Sequence, residues 1–206
     1  MSIVKLNNRG VKNATTFGSI TGLGSMVFIK KLTASSSSTL SFEDGSSDVV
    51  LDNTYKEYLF TFNNIHPATD YVDFQFQANA SGGSGYNETI TSTFFSGQNR
   101  EDGSGTGLGY RTGDDQAQGT GFQTLIIQLG NGNDESGSGF LHLFNPSNTT
   151  FVKHFIARSS VLQFEDRIYD NFCSGYINTT SAIDEIQFKM SSGNIDAGDI
   201  CLYGIN

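Results

Sequence analysis

The chain has 206 residues, a formal net charge of −9, 36% hydrophobic residues and 24 glycines. Its 17 phenylalanines and eight tyrosines argue against a disordered chain, because each aromatic side chain can bury roughly 150–250 Å². Beyond residue 42 the chain holds 21 acids and seven bases, and this balance argues strongly against nucleic-acid binding through its main body. No apolar run approaches the length of a membrane span, and no signal peptide is recognisable, so neither is expected.

The first 24 residues are polar and contain several glycines, and they predict an extended N-terminal arm in front of one domain spanning residues 25–206. Residues 1–42 hold no acid and five bases, which are Lys5, Arg9, Lys12, Lys30 and Lys31. This uneven distribution of charge between the first 42 residues and the rest of the chain suits a basic arm that docks on an acidic partner surface. The competing interpretation is chance variation in the composition of a short segment.

One short strand is considered within the arm, near residues 3–6, and a better strand is predicted at residues 26–32. A serine-rich turn follows, and the Asp44-Gly45 pair then separates residues 39–42 from residues 48–51. An Asp-Gly pair between two short apolar segments predicts a β-hairpin.

The strongest strand pattern lies in residues 55–78. Large side chains recur there at every second position, in two runs: Tyr58, Phe60 and Phe62, then Val72, Phe74 and Phe76. Period-two alternation is typical of strands with one buried face, so the runs predict two consecutive antiparallel strands with six core side chains.

Further strands are predicted at residues 89–95, 122–129, 140–144, 151–157, 160–164, 172–177, 184–190 and 200–204. The intervening segment 98–121 is the longest polar stretch, with only Leu108 and Tyr110 to anchor it. A connection of that length inside a compact domain is usually functional or mobile. Many short strands without any helix pattern predict a two-sheet sandwich or a barrel.

The histidines do not predict a metal site. In a symmetric hairpin over residues 140–157, His142 lies opposite Lys153, and Leu141 lies opposite His154. The two histidines then face opposite sides of the sheet and cannot share the three or four convergent ligands that zinc needs.

No other segment predicts catalysis or cofactor binding. The loop at 130–139 has oxygen donors but lacks the order of an EF-hand, and the glycines of 103–109 lack the spacing of a phosphate-binding loop. Adjacent acids such as Glu165 and Asp166 point to opposite sides of a strand, which leaves a glycosidase as a distant alternative. Cys173 and Cys201 are expected to be free and buried. We therefore predict no catalytic, cofactor-binding or metal site.

Aromatic residues near loops are the remaining candidates for a binding surface. Tyr86, Phe95, Tyr110 and Tyr169 are suited to stacking on sugars, although aromatic residues more often belong to a core or an interface. The candidate surface-recognition residues are Tyr86, Tyr110 and Arg111.

The C-terminal segment 181–206, SAIDEIQFKMSSGNIDAGDICLYGIN, resembles the closing motif of jelly-roll virion proteins of tailed phages, particularly marine and cyanobacterial ones. The matching residues are Ile186, Phe188, Ser192, Gly193, Asn194, Gly198, Leu202, Tyr203 and Gly204. FNPS at 144–147 and the opening VKLNNRGVKN are similar to such proteins as well.

The resemblance implies an all-β, jelly-roll or lectin-like antiparallel β-sandwich with an extended N-terminal arm, acting as a structural element on the virion surface. Members of this group are head decorations or tail-fibre parts. The absence of a shaft repeat before the sandwich favours a non-enzymatic capsid decoration or cement protein. Its expected partners are the major capsid protein or other virion proteins, and it is expected to form a homo-oligomer, with a trimer favoured, after synthesis in the host cytoplasm. The alternative is a tail-fibre or tail-tip module that binds a host-surface glycan.

Overall fold

The computed structural model describes residues 26–163 and 165–206. Those residues form thirteen β-strands and no helix, which confirms the predicted all-β antiparallel class. The strands are β1 (Met26–Thr33), β2 (Leu40–Glu43), β3 (Glu57–Pro67), β4 (Val72–Ala80), β5 (Ile90–Arg100), β6 (Thr106–Tyr110), β7 (Ala117–Gly119), β8 (Gln123–Leu129), β9 (Gly137–Phe144), β10 (Lys153–Gln163), β11 (Arg167–Ile177), β12 (Ile183–Met190) and β13 (Ile195–Ile205). The predicted arm, residues 1–24, lies outside the described residues.

The strands build a small and a large sheet that face each other. The small sheet has the order β2-β12-β4-β8, and the large sheet has the order β1-β13-β3-β9-β10-β11-β5, with β6 and β7 both paired to β5. One residue pair, Gln163 with Leu129, connects the two sheets at the end of β10. Strands β1 to β4, β8, β9, β12 and β13 are distributed over the two sheets as in a jelly roll. The sandwich is therefore jelly-roll-like, and the remaining strands widen its large sheet.

The two strongest sequence runs occupy β3 and β4, and their six predicted core side chains are all buried. These strands are consecutive, but they do not pair with each other. Strand β3 pairs with β13 and β9, whereas β4 pairs with β12 and β8. The runs therefore face each other from opposite sheets, and the rings of Phe62 and Phe74 lie 5.2 Å apart across the core.

Phe188 of β12 lies at the centre of the core. Its ring centroid is between 5.3 and 6.5 Å from the centroids of five other rings, those of Phe42, Phe60, Phe62, Phe74 and Phe76. Most of these contacts are edge-to-face or tilted, which are favoured arrangements for aromatic rings. A single aromatic cluster thus connects strands of both sheets.

The predicted hairpin around Asp44-Gly45 is wrong in its second half. Gly45 turns the chain after β2 with a φ of +74°, but residues 48–51 form no strand. Leu51 is buried, and its backbone N–H donates a hydrogen bond to the Asp44 carboxylate. A side-chain acceptor therefore takes the place of a partner strand.

Residues 98–121 contain two strands where the sequence predicted a long connection. Strand β5 continues to Arg100, β6 pairs with its second half and β7 with its beginning. The buried Gln77 amide donates hydrogen bonds to the carbonyls of Thr120 and Gly121, at 3.3 and 2.8 Å. This segment is thus fixed to both sheets.

Candidate functional site

The solvent-facing side of the large sheet carries many apolar side chains between β9 and β6. Successive side chains of a strand point to opposite faces, so one set fills the core and the other meets solvent. We call the second set the outer aromatic face; it comprises Phe140, Phe144, His154, Ile156, Arg158, Ile168, Asp170, Phe172, Tyr176, Phe95, Leu108 and Tyr110. Exposed apolar surfaces of this kind mark sites of interaction.

The solvent-facing side of the small sheet has the opposite character. Its outward side chains on β2, β4 and β12 are polar or charged, and include Ser41, Glu43, Gln75, Glu185, Gln187 and Lys189. An antiparallel sandwich usually places polar side chains on its solvated faces. Among the described residues, the contiguous apolar face therefore lies on the large sheet.

One row of cross-strand neighbours crosses the middle of the outer aromatic face. In order, these neighbours are Phe140, Arg158, Phe172, Phe95 and Tyr110, and we call this row the ridge. The rings of Phe95 and Phe172 are stacked, with centroids 4.7 Å apart and an interplanar angle of 5°. The Arg158 guanidinium carbon lies 4.7 Å from the centroid of the Phe172 ring. Stacking and the cation–π contact hold these side chains in a defined arrangement.

The charges on the outer aromatic face neutralise each other. Arg158 donates hydrogen bonds to both carboxylate oxygens of Asp170, at 3.0 and 2.7 Å. These bonds raise the pKa of Arg158 above its ordinary value. The face is thus nearly neutral in a chain whose net charge is −9.

Two depressions flank the ridge. The first, of about 500 Å³, lies towards the β11 C-terminus, and its lining includes Thr91, Thr93, Phe144, His154, Ile156, Ser174 and Tyr176. The second, of about 450 Å³, lies towards the β11 N-terminus, and its lining includes Ser138, Phe140, Arg158, Ser160, Ile168 and Asp170. The first combines ring surfaces with hydroxyl groups, whereas the second contains the Arg158–Asp170 pair. Both have the size of small ligand-binding pockets.

Comparisons of the chain with family models, with curated proteins and with solved structures found no match. Within residues 26–163 and 165–206, no helix is long and apolar enough to cross a bilayer.

His142 and His154 lie on the same side of the large sheet, contrary to the prediction. The β9–β10 register pairs His142 with Ile156 and not with Lys153. An odd shift of register reverses the face of every side chain on a strand. The connection is asymmetric because the Asn148 side chain accepts two backbone hydrogen bonds from the residues that follow it. In the described part of the chain, no group of three or more His, Cys, Asp or Glu side chains is arranged to hold a metal ion.

The predicted recognition residues lie in two separate places. Tyr110 ends the ridge, and Arg111 follows it, with its Nε atom 3.0 Å from a carboxylate oxygen of Asp114. Tyr86 instead lies half-buried near Glu185 of the small sheet, where burial raises its pKa. The structure therefore does not bring Tyr86 together with the other two residues.

Two of the predicted docking bases belong to the sandwich. Lys30 and Lys31 lie on β1, which pairs with β13 and is the outermost of the described strands of the large sheet. The Nζ atom of Lys30 donates to a backbone carbonyl at 2.8 Å, and that of Lys31 lies 3.2 Å from the Asp199 carboxylate. The other three predicted docking bases, Lys5, Arg9 and Lys12, lie outside the described residues.

Both cysteines are free and buried, as predicted. Cys173 is a core residue of β11, and burial raises its pKa above the ordinary value. Because the thiolate is the reactive form of cysteine, this side chain is unsuited to act as a nucleophile.

Sequence reasoning missed most of the outer aromatic face, although a signal was present. Strand β10 carries Phe155 and Val161 at inward positions, and Ile156 and Leu162 at outward ones. Strands that are covered on both faces typically carry apolar residues at both inward and outward positions. The pattern was hidden because β10 was predicted as two shorter strands.

Proposed function

We propose that this chain is a non-enzymatic structural protein of a tailed-phage virion, most specifically a decoration or cement protein of the capsid surface. The observation that carries the proposal is the outer aromatic face. A broad, nearly neutral, apolar surface suits contact with another protein. The jelly-roll-like strand order and the closing motif at residues 181–206 also support this role.

In this proposal the N-terminal arm supplies electrostatic attachment. Its bases dock on an acidic surface of the major capsid protein or of another virion protein, while the sandwich forms homo-oligomers. Strand β1 adds a second means of attachment. It has one neighbour, β13, among the described strands. An edge strand of this kind can accept a further strand from a partner.

The decisive experiment is the copy number of this chain in purified virions, measured by quantitative mass spectrometry. The major capsid protein and one tail protein serve as internal standards. A copy number comparable to that of the capsid protein is expected for a decoration. A copy number comparable to that of the tail protein would contradict the capsid assignment and favour the tail.

The docking arm has its own test, in which recombinant chain is added to particles that lack it. A variant with Lys5→Gln, Arg9→Gln and Lys12→Gln should bind more weakly, and the binding of the wild type should fall as salt screens the attraction. Lys56→Gln on the sandwich is the matched control, because it removes a positive charge outside the arm. Equal binding by all the variants would exclude the electrostatic arm.

A second candidate function, glycan binding at a tail fibre or tail tip, is favoured by the first depression. There the hydroxyl oxygens of Thr93 and Ser174 lie 3.1 Å apart, and the rings of His154 and Tyr176 have centroids 6.1 Å apart. Such a site offers a sugar both an apolar ring surface and hydroxyl partners. A glycan array should then show binding that Tyr176→Ala abolishes and that Tyr86→Ala, in the loop between β4 and β5, preserves. Failure of the wild type to bind any host polysaccharide would reject this candidate.

A further inference from the structure

We infer that the outer aromatic face binds the same face of a second copy of this chain, so that the protein forms a two-fold symmetric dimer. The inference rests on the proposed function in treating this face as a protein contact, and it names the partner. Three properties of the face point to a second copy: its size, its charge and its shape.

The face is large enough for a stable interface. Five strands, from β9 to β6, are separated by four spacings and span about 19 Å, and the stretch of β11 from Ile168 to Tyr176 spans about 28 Å. The projected area is about 530 Å², and the accessible area is greater because side chains make the surface uneven. A standard interface takes about 800 Å² from each partner. The accessible area of the face therefore approaches one side of a standard interface.

The charge distribution favours contact at this face over the other surfaces. The described residues contain all 21 acids but nine of the 12 bases, since three bases lie before residue 26. Two copies thus repel each other across most of their surfaces. On the outer aromatic face, Arg158 neutralises Asp170, so two copies can approach there with little repulsion. The same pair lets each copy present both signs of charge to the other.

The face has relief that a second copy can fill. The ridge lies between the two depressions, with the stacked rings of Phe95 and Phe172 at its centre, and its Phe140 and Arg158 help to line the second depression. A two-fold axis near the face places the ridge of each copy over a depression of the other. A contact in which both copies use the same surface closes after two subunits. The expected assembly is therefore a dimer, in contrast to the trimer favoured by sequence reasoning.

The test measures the mass of the full-length chain by sedimentation equilibrium over a range of concentrations. Twice the monomer mass of 22.3 kDa is expected for the wild type. Ile156 is 49% exposed on β10, so Ile156→Glu leaves the core intact while placing a charge inside the contact. Dimer affinity should fall about tenfold or more, because the buried charge has no partner.

Two further variants separate a specific contact from a general effect of charge. Gln187→Glu adds the same charge on the outer side of the small sheet and should stay dimeric. The Ile156→Lys variant alone should dimerise as weakly as the Ile156→Glu variant. A mixture of the two variants should form a heterodimer at low salt. Ser174→Glu, at an exposed position beside the first depression, replaces Ile156→Glu if circular dichroism shows that the latter is unfolded.

Each other outcome would overturn the inference. A wild-type chain that stays monomeric at all concentrations would overturn it, above all if that monomer binds a glycan through Tyr176. A mass equal to that of a trimer would also overturn it. A dimer that Ile156→Glu leaves unchanged would place the contact elsewhere. The virion copy number is independent of these results, so failure of the dimer leaves the proposed decoration role standing.

Discussion

Replacing Phe188 with alanine should remove a large part of the free energy of unfolding. The side chain is fully buried, and its five ring neighbours are fixed on strands of both sheets. The neighbours therefore cannot close the space, and a cavity of about 100 Å³ costs about 2.4 kcal/mol. The loss of the favourable free energy of transferring the ring from water into the core adds about 2 kcal/mol. The expected loss is about 4–5 kcal/mol.

Urea unfolding followed by circular dichroism measures this loss, provided that the slope of the transition is unchanged. Phe188→Leu keeps most of the volume and should cost about 1–2 kcal/mol. Phe151→Ala is the surface control, because Phe151 is 69% exposed and should change stability by about 0.5 kcal/mol or less. A loss below about 2 kcal/mol for Phe188→Ala would refute the central position of this ring.

Two further predictions concern buried polar groups. Lys153 is fully buried, and its Nζ atom donates to two backbone carbonyls at 2.9 and 3.0 Å. Burial lowers the pKa of Lys153 below its ordinary value of 10.5. Between the lowered pKa and 10.5, the unfolded chain therefore binds more protons than the folded chain. The free energy of unfolding should rise with pH in that range. Urea unfolding of wild type and Lys153→Met should show this extra slope only in the wild type, and equal slopes would contradict it. A thiol reagent should react slowly with folded protein and rapidly after unfolding, since Cys173 and Cys201 are buried; rapid labelling of folded protein would contradict their burial.

Local patterns predicted the strands well, because alternate burial leaves a direct trace in the sequence. The six alternating side chains of β3 and β4 are all in the core. Strand partners were harder to predict, because pairing depends on residues far apart in the chain. Nothing near residues 55–78 specifies that β3 pairs with β13 and β4 with β12. Glycine-rich β6 lacked a pattern altogether, since its five residues are all exposed.

The candidate site was less predictable than the fold. Tyr110 and Phe95 were recognised as aromatic candidates, but their neighbour Phe172 was not, because the row that joins them crosses separate strands. The faces of His142 and His154 depended on a register that the connection sets. Local hydrogen bonds to the Asn148 side chain stabilise that connection, and a count of residues cannot reveal them.

The pairing of β1 with β13 has a consequence for how this sandwich can be rebuilt. Met26 lies opposite Ile205, so β1 begins beside the end of β13 at one corner of the large sheet. In a chain that starts at residue 26, a short linker can join these two points, and new ends can be opened at the exposed turn around Gly103. In such a circular permutant, β1 and β13, which are far apart in the sequence, become immediate neighbours along the chain. The entropy cost of bringing these two strands together is then lower. The order of connection can thus be changed while the packing of the strands is kept.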